Sequence, residues 1–113
     1  MLTLPAKITD IQAPVLDIYM AETLVIINLD ESSVDKLIDA ARQLSATRFT
    51  GPKGRPLSVI PTNDEQALPT LHPDHGWLLP LSPPVVKELL ESGLSIGDNE
   101  LDSINVAFIV HAH

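Results

Sequence analysis

Residues 23–44 read Thr-Leu-Val-Ile-Ile-Asn-Leu-Asp-Glu-Ser-Ser-Val-Asp-Lys-Leu-Ile-Asp-Ala-Ala-Arg-Gln-Leu, and they carry the two clearest secondary-structure signals of the chain. Residues 23–29 are β-branched or apolar on both faces, which predicts a central strand buried on both sides. Asp30 or Ser32 is expected to cap a helix that follows this strand and ends near Ala46. One face of the helix carries apolar residues at helical spacing, namely Val34, Leu37, Ile38, Ala41 and Leu44.

Three more elements are indicated on either side of this stretch. Residues 15–20 and 104–111 alternate with a period of two, which predicts strands with one face on the core. A second helix is expected to begin with Ser82 as its cap and Pro83 at its first position, and to stop at Gly93. Its buried face would be formed by Val85, Val86, Leu89 and Leu90.

The segments between these elements are rich in proline and glycine. Residues 1–14 are predicted to form an N-terminal arm or a short edge strand, and residues 47–56 a turn-rich loop. Short strands are predicted at 57–60 and 76–80, separated by a long loop over residues 61–76.

This order of elements predicts a single small α+β domain spanning residues 1–113. Two helices with one apolar stripe each would pack on one face of a mixed or largely antiparallel sheet. The sequence shows no internal repeat and no linker to a second domain.

The chain is acidic, with seven lysine and arginine residues against fifteen aspartate and glutamate residues and a formal charge of −8. This balance disfavours general attraction to nucleic acid or to an anionic membrane surface, and it suits a basic protein partner. Without cysteine, the chain has neither a disulfide framework nor a thiolate ligand. Residues 24–27 form an apolar run that is too short to span a membrane, and residues 1–7 lack a secretory signal. We therefore expect a soluble, cytoplasmic protein that contacts neither nucleic acid nor membrane directly.

All four histidines lie in two clusters, His-Pro-Asp-His at 72–75 and His-Ala-His at 111–113. Imidazole is the commonest transition-metal ligand. A fold that joined the clusters would offer a zinc site formed by His72, Asp74, His75 and His111. The competing interpretation is a turn in which Asp74 bonds main-chain amides and the imidazoles face solvent. We favour the turn, and expect neither a bound metal nor a cofactor.

A nucleophilic or acid–base catalytic site is a further hypothesis. No serine lies in a Gly-x-Ser-x-Gly motif, and Ser32 and Ser82 are explained as helix caps. Acidic residues of the 61–76 loop, together with His72 or His75, would provide a general acid and base. Because acidic residues are abundant throughout the chain, their proximity has little weight, and a non-enzymatic protein is favoured.

The loop at 47–56 concentrates positive charge, since four of the seven basic residues fall between positions 42 and 55. It is not a phosphate-binding Gly-x-x-x-x-Gly-Lys-Ser/Thr loop, because the spacing is wrong and Pro52 and Pro56 remove two amide donors. We predict that a protein partner is contacted by Arg48, Phe49, Lys53, Arg55 and Trp77. The alternative is a solvated loop, with Phe49 and Trp77 packed in the core.

These observations favour a non-enzymatic binding or regulatory module that acts through protein–protein contacts. Its contact surface would be the basic loop at 48–55, the long loop at 61–76, or an acidic face to which Asp98, Glu100 and Asp102 contribute. One form of this function is an inhibitor from a phage or mobile element that targets a basic nucleic-acid-binding partner. The alternative is a metal-binding protein or metal-dependent enzyme that uses the clustered histidines. The terminal strand, rich in Ile and Val, would also allow a homodimer through a sheet edge.

Overall fold

The fold is seen in a computed structural model that describes residues 2–112, over which two helices and nine strands follow one another. In chain order these are β1 (Thr9–Gln12), β2 (Leu16–Ala21), β3 (Leu24–Asp30), α1 (Glu31–Gln43), β4 (Thr47–Thr50), β5 (Leu57–Pro61), β6 (Thr70–His72), β7 (Gly76–Leu81), α2 (Pro83–Ser92), β8 (Gly97–Glu100) and β9 (Val106–His111). The predicted α+β class is confirmed.

The strands divide between two mixed sheets rather than forming one. Sheet A has five strands in the order β1-β4-β5-β7-β6, and sheet B has four in the order β2-β3-β9-β8. Each sheet contains two antiparallel hairpins joined by one parallel pair of strands. The parallel pair is β5 with β7 in sheet A and β3 with β9 in sheet B. Helix α1 contacts strands of both sheets as well as α2, and α2 packs against β7.

The two sheets are related by an internal repeat of ββαββ topology that the sequence did not reveal. The first copy is β2-β3-α1-β4-β5 and the second is β6-β7-α2-β8-β9. Exchanging the copies converts the order β2-β3-β9-β8 into β6-β7-β5-β4, which is sheet A without β1. The registers agree as well. The pairing of β3 with β9 begins with Val25 opposite Val106, and the equivalent pairing of β7 with β5 begins with Trp77 opposite Leu57. Among the described strands, β1 alone has no counterpart.

Asp30 joins β3, α1 and the start of β2. Its buried side chain caps α1 by accepting hydrogen bonds from the main-chain amide of Ser33 (3.2 Å), from the Ser33 hydroxyl (2.7 Å) and from the Ser32 hydroxyl. The main-chain amide of Val15 donates a longer bond of 3.4 Å. Burial alone raises the pKa of Asp30, but the bonds from Ser32 and Ser33 outweigh it and lower the pKa from 3.8 to about 2. Of the two caps that the sequence offered, the structure uses Asp30.

The core is aliphatic around two phenylalanines, Phe49 and Phe108, both fully buried. The predicted stripe of α1 supplies buried Val34, Leu37 and Ala41, but Leu44 is 59% exposed. The helix ends at Gln43, earlier than predicted, because Leu44 takes the left-handed conformation (φ 52°).

Three short strands, β4, β6 and β8, form where the sequence predicted loops or irregular chain. Each has only three or four residues, which is too short to display a clear alternation of polar and apolar positions. Each forms because an adjacent hairpin strand provides an antiparallel partner. In the 1–14 segment, the predicted edge strand is β1, parallel to β4. At α2, Gly93 follows the last helical residue as predicted, whereas the Ser82 side chain makes no capping hydrogen bond.

The lowered pKa of Asp30 predicts an acid-sensitive fold. Its charged form contributes about 2 kcal/mol to the free energy of unfolding above pH about 4, and this contribution is lost as the pH falls to the folded-state pKa near 2. Asp30→Asn should therefore lower stability at pH 6 and flatten the stability profile between about pH 4 and 2. Urea denaturation across that range measures both effects. Asp39→Asn is the control, because exposed Asp39 pairs with no described residue other than Arg42. An equal effect of both variants would contradict this prediction.

Candidate protein-binding surface

Two aromatic residues that were predicted to contact a partner belong to the core. Phe49, on β4, is fully buried, and Trp77, on β7, is only 9% exposed. Both pack in the central hydrophobic cluster, so the arrangement observed is the core alternative that the sequence left open. A buried ring offers little surface to a partner, and the candidate surface developed below excludes both residues.

The predicted cations of the 47–56 segment are divided between two environments. Arg48 is paired with Asp10 of β1, at 2.7 Å from Nε to Oδ1. That hydrogen bond is the main cause that lowers the pKa of Asp10 and raises the pKa of Arg48. Lys53 and Arg55 lie on an exposed turn, where they border a cavity of about 100 Å³ beside Asp17. The three cations therefore do not form one continuous basic surface.

His72 stabilises a turn at the end of β6. Its Nδ1 accepts hydrogen bonds from the main-chain amides of Asp74 (3.0 Å) and His75 (3.2 Å). The two imidazoles contact each other, with ring centroids 4.6 Å apart. A turn was the favoured interpretation of this segment, but the imidazole of His72, rather than the Asp74 carboxylate, accepts the amide bonds.

The second histidine cluster lies on the other sheet. His111 ends β9 of sheet B, with Nε2 at 2.9 Å from Oδ1 of Asn28, and His113 lies outside the described residues. Within residues 2–112, no three histidine, aspartate or glutamate side chains are grouped so that they would hold a metal ion. The structure therefore does not assemble the alternative site of His72, Asp74, His75 and His111.

The face of sheet B that points away from the core is accessible to solvent around its margin. Two rows of side chains cross it: Tyr19, Ile26, Ala107 and Glu100 in one, and Asp17, Asn28, Ile109 and Asp98 in the other. We call these eight residues the sheet B face. Tyr19 is 47% exposed, Ile109 is half-buried, and the carboxylates at both ends of the rows are exposed. Ile26 and Ala107, at the centre, are nearly covered by their neighbours.

The ionisable side chains of the sheet B face are acidic apart from the phenol of Tyr19, and Lys53 and Arg55 border it beside Asp17. None of the seven lysine and arginine residues lies on β2, β3, β8 or β9. No ion pair within residues 2–112 involves Asp17, Asp98 or Glu100. The face therefore combines an apolar centre with unpaired carboxylates at its rim, a composition that complements a basic protein surface.

The corresponding face of sheet A is covered. In the internal repeat, the positions of Ile26, Ala107 and Ile109 correspond to Leu78, Ser58 and Ile60. These three residues are buried, although they point away from the central core cluster.

Two segments outside the repeat lie over this face of sheet A. Leu2 of the N-terminal segment and Leu68 of the 62–69 loop border a cavity of about 300 Å³ beside Leu78. Pro5, also in the N-terminal segment, borders a second cavity with Ile60. The two sheets thus differ in that additional chain covers the outer face of sheet A, whereas Tyr19, Ile109 and the carboxylates on the outer face of sheet B stay accessible.

Glu88 of α2 fixes the turn that follows β8. Its carboxylate accepts hydrogen bonds from the main-chain amides of Asp102 (2.7 Å) and Ser103 (2.9 Å) and from the Ser103 hydroxyl (2.5 Å). Burial raises the pKa of Glu88, but these hydrogen bonds outweigh it and lower the pKa overall. The edge of the sheet B face is thereby anchored to a helix rather than to a free loop.

Sequence reasoning found parts of this surface but not the whole. The alternation over residues 15–20 placed Asp17 and Tyr19 on one face, and the acidic character of residues 98–102 was evident. Their meeting across four strands depends on the parallel pairing of β3 with β9, for which the sequence carries no local signal.

No protein-family model matches this chain, and the search of curated proteins likewise finds no match. Neither helix within the described residues is long and apolar enough to cross a membrane.

The turn at 72–75 provides a test of the role assigned to His72. His72→Ala removes the acceptor of two main-chain amides, so it should lower the free energy of unfolding by about 1 kcal/mol. His75→Ala removes the same ring contact but no acceptor, and should cost clearly less. Chemical denaturation at pH 8 compares the two variants. Equal losses would show that the ring contact, and not the amide bonds, stabilises the turn.

Proposed function

We propose that this chain is a non-enzymatic binding module that contacts a basic protein partner through the sheet B face. The observation that carries the proposal is the difference between the two outer faces. One is covered by the chain's own segments, while its counterpart has exposed Tyr19, half-buried Ile109 and exposed carboxylates around the nearly covered Ile26 and Ala107. Sheet faces built on packed strands are rigid, so little conformational entropy would be lost on binding.

The chemistry of the face favours a protein over other partners. Tyr19 and Ile109 supply an aromatic and an aliphatic contact of the kind found at the centres of interfaces. The exposed carboxylates, none of which forms an ion pair within the described residues, repel the phosphates of nucleic acids and of anionic lipids. A second copy of the chain would bring carboxylates against carboxylates, so a homodimer through this face is less favourable than a complex with a different, basic protein.

Binding of this kind suits a regulatory role. An acidic face that occupies a basic groove would compete with the phosphates that normally bind there, and an inhibitor of a nucleic-acid-binding protein, encoded by a phage or mobile element, is one form of such a regulator. We propose that it acts in the cytoplasm, with which a chain lacking cysteine is compatible. Lys53 and Arg55 remain available on their exposed turn for further polar contacts to the same partner.

The test is first to identify the partner by crosslinking from the sheet B face, and then to measure the affinity of that partner for this chain. A photoreactive phenylalanine analogue at position 19 should crosslink a protein that the same analogue at position 68, on the sheet A side, does not crosslink. With that partner purified, Ile109→Arg should weaken binding more than about tenfold, because it places a cation against a basic surface.

Leu68→Arg is the matched control for this measurement, since Leu68 is 61% exposed and lies near Leu78 of sheet A rather than on sheet B. Circular dichroism should show that both variants fold. Unchanged affinity of Ile109→Arg for the crosslinked partner would contradict the proposed function, as would equal weakening by the two variants.

A further inference from the structure

The internal repeat exposes a difference at one sheet edge. In sheet A the outer side of β4 is covered by β1, which runs parallel to it. The corresponding strand of sheet B is β8, and no described strand lies on its outer side. The other two edges, β2 and β6, correspond to each other and are uncovered in both sheets. The edge of β8 is therefore the position in sheet B that corresponds to the position of β1 in sheet A, and no described strand occupies it.

The register relates β4 and β8 residue by residue. Arg48 lies opposite Ser58, and Glu100 lies opposite Ala107, the counterpart of Ser58 in the repeat. The next residue in each strand direction is buried: Phe49 after Arg48, and Leu101 after Glu100. Glu100 thus occupies the position of Arg48, with the opposite charge.

The main chain of β8 is available for a further strand. In sheet A, β1 donates hydrogen bonds to β4 and its flanks, from Thr9 to the Ala46 carbonyl at 3.0 Å and from Ala13 to the Thr50 carbonyl at 2.9 Å. By the same alternation, the outward-facing groups of β8 are those of Asp98 and Glu100. Within residues 2–112, neither residue's main chain forms a hydrogen bond beyond the pairing of β8 with β9. Both side chains are exposed.

We propose that β8 binds an extended segment of the partner protein as a fifth strand of sheet B, parallel to β8, with a lysine or arginine opposite Glu100. The template is β1, whose Asp10 lies opposite Arg48 and pairs with it at 2.7 Å. Because Glu100 of β8 carries the opposite charge to Arg48 of β4, the added strand requires a cation where β1 has Asp10. An aliphatic residue follows the cation, as Ile11 follows Asp10 and packs against the core.

This inference rests on the proposed function, because it specifies how the basic partner engages sheet B. Four strands of about six residues present a face of roughly 400 Å², whereas a stable interface buries about 800 Å² on each partner. The sheet B face alone is therefore too small. A strand added at its edge supplies main-chain hydrogen bonds and additional buried area in one continuous surface.

The chain itself provides the probe. A peptide with blocked ends and the sequence of residues 8–13, carrying Asp10→Lys, is titrated into the ¹⁵N-labelled protein and followed by NMR. We expect saturable shifts of the amides of Asp98 and Glu100. The unchanged peptide, with aspartate opposite Glu100, should bind about tenfold more weakly, because like charges directly opposite each other destabilise a strand pair.

Glu100→Lys should reverse this preference, so that the unchanged peptide becomes the tighter ligand. Asp35→Lys is the matched control: it changes the net charge equally but lies on the exposed side of α1, outside the sheet B face, and should leave the preference for the lysine peptide intact. Shifts confined to β2 or β6, equal binding of the two peptides to the unaltered protein, or no saturable binding at millimolar peptide would overturn strand addition at β8. The last outcome would mean that the edge carboxylates serve only to keep sheet edges apart.

The failure of this inference and that of the proposed function are distinguishable. If the peptides show no preference while Ile109→Arg still weakens binding of the purified partner, the sheet B face binds by another geometry and only strand addition is overturned. If the peptides behave as expected while the partner ignores Ile109→Arg, the edge binds strands but the proposed use of the face is wrong.

Discussion

The parallel pairing of β3 with β9 is the constraint on which the rest of the molecule depends. It brings Val25 beside Val106, two residues from opposite ends of the chain, and so closes sheet B. The side chains of both strands alternate between the core and the outer face, and their inner members, Ile27 and Phe108 among them, are almost fully buried beneath the helices. Asp30 then ends β3 and starts α1 at a fixed position, because its buried carboxylate bonds the first turn of the helix.

The repeat explains why the molecule has two sheets. Each ββαββ copy contributes one hairpin to sheet A and one to sheet B, so neither copy completes a sheet by itself. In this arrangement, most strand edges are paired because strands of one copy form hydrogen bonds with strands of the other. What distinguishes the copies is added chain: β1 and the 62–69 loop protect sheet A, and the corresponding positions of sheet B stay accessible. We regard these differences, rather than any cavity, as the best guide to function.

How much was predictable depended on the range of the interactions. The α1 stripe, the stop at Gly93 and the strand over residues 104–111 were found because periodicity and helix-terminating residues act within a few positions. The strands β4, β6 and β8 were missed because their few residues have no preference of their own and take strand geometry from a partner. For the same reason Phe49 looked like a loop residue: without β4 there was no alternation to direct its ring inward.

The sequence by itself determined the local elements, the acidic charge and the aliphatic core, all of which follow from composition and from patterns within one element. The histidine clusters and the basic segment were also visible, but their meaning was not. Only the tertiary structure decided that His72 and His111 lie on different sheets, that Arg48 is paired with Asp10, and that the carboxylates of β8 lie in the same rows as Tyr19 and Ile109. These outcomes depend on which strands pair across long separations, and that choice is made by the packing of the whole core rather than by any single segment.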